Sequence, residues 1–193
     1  LVRERLRGFR WGEREVDVVF QQLRRGFNVA TTTSTGRLLD AVACLLGLAY
    51  RRTYEGEGAM KLEAAAARGR PGALEFNVSM IRRGGALVLE TSKLVLQAYE
   101  ALVVGERVED IACAFQLALA EGLAEMAIRA AEEAGVSVVG FTGGVAYNDA
   151  ITRAIREHVE EAGLTFLRHL QVPNGDGGIS LGQAVVAAAR LMF

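Results

Sequence analysis

The stretch from residue 136 to residue 148 limits the possible folds of this chain more than any other, and it reads Val-Ser-Val-Val-Gly-Phe-Thr-Gly-Gly-Val-Ala-Tyr-Asn. Its first four residues, 136–139, favour β structure and predict a buried strand of a parallel sheet. Gly143 and Gly144 end that strand, and apolar side chains then recur at helical spacing over residues 145–162. This order brings free backbone N–H groups and a helix N-terminus to one point, where a nucleotide or another anion can lie. The same order also serves as a packing turn that binds nothing, so both interpretations stay open.

A second glycine-rich loop, residues 173–178, reads Pro-Asn-Gly-Asp-Gly-Gly and lies between a predicted strand at 165–170 and a predicted final helix at 179–192. Asp176 is the only carboxylate of this loop. It can cap the helix that follows, which is the commoner role, or it can hold a divalent cation, because hard cations prefer oxygen ligands. Since both glycine loops follow strands, we expect them to reach the same edge of a sheet.

The composition excludes several classes of protein. The chain has 193 residues, of which 51% are hydrophobic and 23% charged, as expected for a globular fold. The net charge is −1 without a basic stripe, and no unbroken run of about 18 apolar residues occurs, so we expect no nucleic-acid partner and no membrane span. Cys44 and Cys113 lie in apolar helical patterns and are expected to fill the core, which suits a cytoplasmic location. An opening Leu1 without a signal peptide is compatible with a chain trimmed from something longer.

The other periodic segments predict helices and one hairpin. Helices are expected at residues 13–26, 37–48, 59–68, 93–104 and 108–134, and an antiparallel hairpin at 74–81 and 86–89. Gly26, Gly105 and Gly135 stand where helices end. A hydroxyl-rich segment at 31–36 is expected to cap the next helix, with a ligand contact as the weaker alternative. Asp40 in that helix faces either the surface or a cleft. The second half alternates strands and helices and predicts βαβ units.

Several of these stretches together resemble a known family. Residues 33–48 read Thr-Ser-Thr-Gly-Arg-Leu-Leu-Asp-Ala-Val-Ala-Cys-Leu-Leu-Gly-Leu, and residues 53–63 read Thr-Tyr-Glu-Gly-Glu-Gly-Ala-Met-Lys-Leu-Glu. Gly143-Gly144-Val145 is followed by Asn148, and residues 176–183 read Asp-Gly-Gly-Ile-Ser-Leu-Gly-Gln. In this order they look like the C-terminal part of the hydrogenase-maturation carbamoyltransferase. The module is also similar to the universal tRNA threonylcarbamoyl-adenosine enzyme.

The resemblance implies a fold and a domain layout. Both enzymes belong to the ATPases that resemble actin, Hsp70 and the sugar kinases. The expected fold class is α/β: one lobe of an actin-like, ribonuclease H-like ATPase, with a layered mixed sheet and flanking helices. Residues 1–26 would form an N-terminal helical arm, and residues 27–193 would form the C-terminal lobe.

The resemblance also implies a reaction. The family binds ATP or a carbamoyl-adenylate beside a divalent metal, and passes the carbamoyl group to the C-terminal cysteine thiolate of a partner protein in nickel–iron hydrogenase maturation. By this resemblance, Gly143, Gly144 and Asn148 hold adenine and phosphate. The resemblance also implies that the ribose and the nucleotide are faced by Asp40 with Gly36 and by the turn at Glu55-Gly56. The same resemblance implies that Asp176 would be a metal ligand.

This chain departs from the family pattern at several positions. The family's metal-binding histidine pair and a second Asp-Gly loop lie upstream of the residues present here. His158 and His169 have no partner at metal-ligand spacing and are expected to be solvated. The family commonly reads Glu-Gly-Gln-Ala-Ala-Met-Glu-Leu-Glu after the tyrosine. Here Glu57 replaces the Gln, Gly58 the first Ala and Lys61 the following Glu. Gln116 stands where the family often has His, and Gly175 lengthens the second glycine loop.

Two functions therefore stay open. The first is the nucleotide-binding C-terminal half of a hydrogenase-maturation carbamoyltransferase, a fragment or a shortened paralogue, whose metal needs histidines from a missing half or a partner. The second is a non-catalytic, degenerate lobe that dimerises or docks. Whether the isolated chain is an enzyme is left undecided. Expected partners are a hydrogenase-maturation protein or a complementary N-terminal lobe, with a homo-oligomer as the expected state. Lys61 either attracts phosphate or contacts Glu57 four residues earlier.

Overall fold

A computed structural model describes residues 9–192. It divides the chain into two compact units, of which the first ends at Leu62 and the second begins at Glu63. Each unit has its own features and is described by itself below.

The first unit begins with two helices. Helix α1, Glu13–Arg25, ends at Gly26, whose φ of 61° lies in the left-handed region, so the predicted helix stop is confirmed. Helix α2, Thr35–Leu45, begins two residues earlier than predicted. The hydroxyl of Ser34 accepts a hydrogen bond from the Arg37 N–H at 3.4 Å, so the expected cap is also confirmed. Buried Leu39, Val42 and Leu46 form the inner face of α2.

Helix α3, Glu57–Ala66, follows the turn at Gly56 and begins in the first unit. The prediction placed its start at residue 59. The helix begins earlier because Glu57 is held at its first position by hydrogen bonds from Thr53, four residues before it.

The core of the second unit surrounds one long helix. Helix α5, Val108–Ala134, has the predicted bounds and ends at Gly135, again with left-handed φ. It packs against α4, Thr91–Val104, and against α6, Asp149–Glu161. Helix α5 is long and apolar enough to cross a bilayer, but 61% of its apolar window is buried within the structure. A core helix meets the same criterion, and α5 is the core helix of this unit. Its largest fully buried side chains are Phe115, Ile111 and Leu119.

Four short strands form two separate sheets in the described residues, rather than the single layered mixed sheet that was expected. Strands β1, Met80–Arg83, and β2, Ala86–Leu89, are antiparallel around the Gly84-Gly85 turn, so the hairpin is confirmed with a shorter first strand. Strands β3, Val138–Phe141, and β4, Thr165–Arg168, are parallel and are joined through α6, which confirms a βαβ unit. The result is a mixed α/β subdomain of helices with small sheets.

Two details of the first predicted strand and helix are wrong. Val136 and Val138 are 51% and 45% exposed, because β3 pairs with β4 alone among the described residues, so the apolar strand is not buried. The single helix predicted at 145–162 is a 3₁₀ turn, Gly144–Tyr147, followed by α6. Asn148 separates the two pieces, since its extended backbone cannot continue a helix.

The chain closes with a 3₁₀ turn, Asp176–Gly178, and helix α7, Ile179–Met192, as predicted. Although α7 is rich in apolar residues, its side chains are exposed in the described structure. Leu181, Val185 and Val186 are each at least 50% exposed. Apolar surface of this kind marks an interaction face when it is contiguous.

Candidate functional site

The two glycine loops meet in the second unit, which confirms the prediction that both reach one edge. The N–H of Gly143 donates to the carbonyl of Asn174 at 2.8 Å, and the hydroxyl of Thr142 donates to the same oxygen at 3.3 Å. The N–H of Gly175 donates to the hydroxyl of Tyr147 at 3.2 Å. Loops 142–148 and 173–178 therefore lie side by side after β3 and β4.

The first loop leaves backbone donors open. Gly143 has φ of 99°, a conformation that side chains disfavour, so glycine is required there. A Cβ at Gly144 would meet no atom within 4 Å, so the front of the turn is unobstructed. Within residues 9–192, the N–H groups of Gly144 and Val145 have no protein acceptor. Two adjacent N–H groups on an open turn are a favourable site for a phosphate or another anion.

The N-terminus of α6, in contrast, is partly satisfied by protein groups, although the Ala150 N–H has no acceptor within residues 9–192. The side-chain oxygen of Asn148 accepts from the Ile151 N–H at 2.9 Å. Glu63 accepts from the Asp149 N–H at 3.1 Å. Burial raises the pKa of Glu63, an effect that this hydrogen bond partly offsets. The glycine turn therefore offers two adjacent open donors, whereas protein groups already bind the Asp149 and Ile151 N–H groups in the first turn of α6.

Asn148 also belongs to a buried polar cluster. The residue is 6% exposed, and its amide nitrogen donates to the side-chain oxygen of Gln116 at 3.4 Å. Thr152 and Asn174 both donate to the carbonyl of Ala146. The amide nitrogen of Gln116 and the side-chain oxygen of Asn174 are buried and have no partner in the described part of the chain. Both polar groups of Asn148 are thus used inside the protein, where they position α6 and the glycine turn.

Asp176 is exposed on the second loop. Its side chain forms no capping hydrogen bond and no ion pair within residues 9–192, so the capping alternative does not describe it. The same residues contain no group of three or more histidine, cysteine, aspartate or glutamate side chains that could hold a metal. One carboxylate supplies only one of the six or more oxygen ligands of a hard cation, so the others would have to come from water, from a phosphate or from another part of the protein. Asp176 can therefore contribute one ligand but cannot form a metal site without others.

The predicted residues of the first unit surround the start of α3. Asp40 accepts from the Ala59 N–H at 3.2 Å and pairs with Arg37 at 2.8 Å, so it joins α2 to the first turn of α3. A Cβ at Gly58 would lie 2.6 Å from the Asp40 carboxylate, so glycine permits this close approach. Gly36 lies in the first turn of α2, and exposed Glu55 precedes Gly56, whose φ is 77°.

The comparison with known proteins decides the family. A family model described as "Carbamoyltransferase, Kae1-like Domain, second subdomain" matches residues 2–183. The probable carbamoyltransferase HypF of Methanocaldococcus jannaschii is 39% identical over 175 residues, which cover 91% of this chain and 22% of that protein. This chain belongs to the HypF carbamoyltransferase family.

Solved HypF structures agree with this assignment. The crystal structure of T. kodakarensis HypF matches with a TM-score of 0.85 and 41% identity, covering 97% of this chain and 24% of that one. A full-length HypF in a phosphate- and nucleotide-bound form matches with a TM-score of 0.84 and 30% identity, covering 92% and 23%. The expected resemblance is confirmed, and this HypF-family chain spans about a quarter of the length of these relatives.

Two departures from the HypF-family pattern prove to be one interaction. Lys61 pairs with the buried carboxylate of Glu57 at 2.7 Å, so the predicted contact four residues apart is confirmed. Glu57 also accepts from the Thr53 N–H at 2.6 Å and from its hydroxyl at 3.0 Å. The hydrogen bond from Lys61 and those from Thr53 lower the pKa of Glu57 to about 2. The same bond raises the pKa of Lys61, so its charge is committed to Glu57.

Sequence reasoning missed Glu63, Asn174 and the polar role of Gln116. Glu63 is the last residue of the family motif after Tyr54, and this position could have marked it as functional. Its contact with Asp149 could not be predicted, because the two residues lie 86 positions apart in the sequence. The cysteines form no disulfide with each other. Cys113 is buried, and burial raises the pKa of its thiol, which keeps it neutral and unreactive. The expected core role is therefore confirmed for Cys113, whereas Cys44 is exposed.

Proposed function

We propose that this chain is the nucleotide-binding C-terminal lobe of a HypF-type carbamoyltransferase, within an actin-like ATPase fold. The observation that carries the proposal is the open turn at Gly144 and Val145, whose two N–H groups lack protein acceptors in the described residues. These groups would donate to a phosphate oxygen of ATP or of a carbamoyl-adenylate. A HypF relative in a phosphate- and nucleotide-bound form supports the choice of ligand.

The chain's own residues would bind and orient the nucleotide. Gly143 and Gly144 keep side chains away from it, while Asn148 holds α6 in place behind the turn. A bound carbamoyl-adenylate would give its carbamoyl group to the C-terminal cysteine thiolate of a hydrogenase-maturation partner in the cytoplasm, with AMP as the leaving group. The complementary N-terminal lobe would supply the histidines and the metal, since Asp176 alone does not form such a site.

The test is calorimetry with ADP and ATP on the wild-type chain and on G144V. The φ of Gly144 is not in the left-handed region, and a Cβ there meets open space, so the variant is expected to fold. G140V is the matched control, because Gly140 on β3 also faces open space. We expect binding by wild type and G140V, and its loss in G144V, with circular-dichroism melts to verify folding. Equal binding by a folded G144V places the nucleotide elsewhere.

A non-catalytic docking lobe is the second candidate, and the lack of a metal-binding cluster in residues 9–192 favours it for the isolated chain. Purified chain is assayed with carbamoyl phosphate, ATP and a hydrogenase-maturation partner protein. We expect no carbamoyl transfer. Turnover comparable to that of a full-length relative would show that the chain is a complete enzyme.

A further inference from the structure

A small basic pocket lies along α6 and shares no lining residue with the two glycine loops. Its volume is about 150 Å³, and it is lined by Asp149, Thr152, Arg153, Arg156 and Arg168. Because residues 149, 152, 153 and 156 follow helical spacing, they lie on one face of α6. Arg168 is the last residue of β4, at the carboxyl end of the strand. The crossover from α6 to β4 therefore brings three arginines to one cavity.

The three arginines have no ion-pair partner within residues 9–192. Acidic residues that could pair with them are available: Glu157 and Glu160 follow Arg153 and Arg156 by four positions, the spacing that favours a helical ion pair. By comparison, Arg129 does pair at this spacing with Glu125, at 2.6 Å, but there the glutamate comes first along the helix, which is the more favourable order. The guanidinium groups of the pocket are therefore available to a ligand from solution.

The charges of the pocket indicate the ligand. Three arginines and Asp149 leave a net charge of +2, which matches a dianion. Arginine binds the oxygens of phosphate through paired N–H donors. The Asp149 carboxylate can only accept, so it repels a bare oxyanion but can accept a hydrogen bond from a P–OH group. The Thr152 hydroxyl is committed to the Ala146 carbonyl and adds no donor to the pocket.

We propose that Asp149, Arg153, Arg156 and Arg168 form a binding site for a phosphate group that carries a proton. The cavity holds inorganic phosphate as its hydrogen phosphate dianion, whose P–OH group donates to Asp149, whereas the dianion of a phosphate monoester has no such proton near neutral pH. Asp149 selects phosphate against sulfate, because sulfate has no proton to donate near neutral pH. This site is separate from the nucleotide turn and does not depend on the proposed function.

The experiment titrates inorganic phosphate, sulfate and AMP into the chain by calorimetry near neutral pH. Wild type is expected to bind phosphate saturably, one to one, and more tightly than sulfate. R156Q and R168Q each remove a charge-assisted donor and should weaken phosphate binding about tenfold or more. R129Q removes the same charge outside the pocket and should leave the affinity within about twofold. AMP is titrated into G144V, so that the glycine turn does not contribute; its monoester dianion has no P–OH group at this pH and should bind more weakly than inorganic phosphate, and equal or tighter binding of AMP would contradict the role of Asp149.

Asp149→Asn supplies the test of selectivity. The variant should lose the preference for phosphate, since sulfate is no longer repelled. G144V should retain phosphate binding, which separates this site from the glycine turn. The proposal is overturned by an absence of saturable phosphate binding to wild type, by equal weakening in R129Q, by a phosphate preference that survives in D149N, or by loss of phosphate binding in G144V. Melting curves verify folding, and R156Q and R168Q act as independent tests if one of them unfolds.

Discussion

Replacing Asn148 with alanine tests the structural role of this residue. The variant removes the cap of α6, which contributes about 1 kcal/mol at a typical N-cap. It also leaves the buried side-chain oxygen of Gln116 without its donor, which costs about 1–3 kcal/mol. We expect the free energy of unfolding to fall by about 2–4 kcal/mol. For a chain of this size, the melting temperature should fall by roughly 4–16 °C.

Asn148→Ser divides this loss into its two parts. Serine caps helices well but is too short to donate to Gln116, so only the loss of about 1–3 kcal/mol should remain. In a Q116L background that loss should disappear, because no buried acceptor is left unpaired. The assay is urea denaturation followed by far-UV circular dichroism. A loss below about 0.5 kcal/mol for N148A, or equal losses for N148A and N148S, would refute this reasoning.

Two further predictions concern the acidic side chain of α3 and the exposed face of α7. The pKa of Glu57 in the folded chain, about 2, lies below its ordinary value of 4.5, so its stabilising effect is present above pH 4.5 and is lost as pH falls toward 2. The urea midpoint should therefore fall more steeply with decreasing pH in wild type than in E57Q. Parallel pH dependence of the two midpoints would contradict the low pKa of Glu57. We also expect the chain to associate through α7, so light scattering should show a dimer or a larger species. The variant V185E places a charge on Val185, which is 59% exposed, and should shift the population toward monomer. A wild-type monomer at high concentration would count against this.

Local patterns predicted the elements that depend on nearby residues. Helix α5 was predicted to its last residue, because glycine terminated a long apolar pattern at Gly135. The Gly84-Gly85 hairpin and the Glu57–Lys61 contact were predictable for the same reason, since each is set within a few residues. The ligand-binding roles given to Gly36, Asp40, Glu55, Gly56, Gly143, Gly144, Asn148 and Asp176 stay predictions.

Tertiary packing determined what the sequence did not reveal. An apolar run such as residues 136–139 predicts burial only if both faces of its sheet are covered, and β3 has one neighbour in the described residues. Asn148 stands before an amphipathic helix and could have been recognised as a cap. Its bond to Gln116, 32 residues away, depends on the packing of α6 against α5, which no local spacing encodes.

The capping of α6 limits how an anion can bind to this lobe. A helix N-terminus attracts anions through unpaired N–H groups, yet Asn148 and Glu63 already accept from two of them. The Glu63 carboxylate at the Asp149 N–H also disfavours a second anion at that position. In the proposed function, a nucleotide phosphate would therefore be held mainly by the N–H groups of Gly144 and Val145, before the helix begins. The arginine pocket lies along the side of α6 and depends on guanidinium groups instead. R156Q or R168Q should therefore weaken the binding of inorganic phosphate, whereas G144V should weaken the binding of the nucleotide.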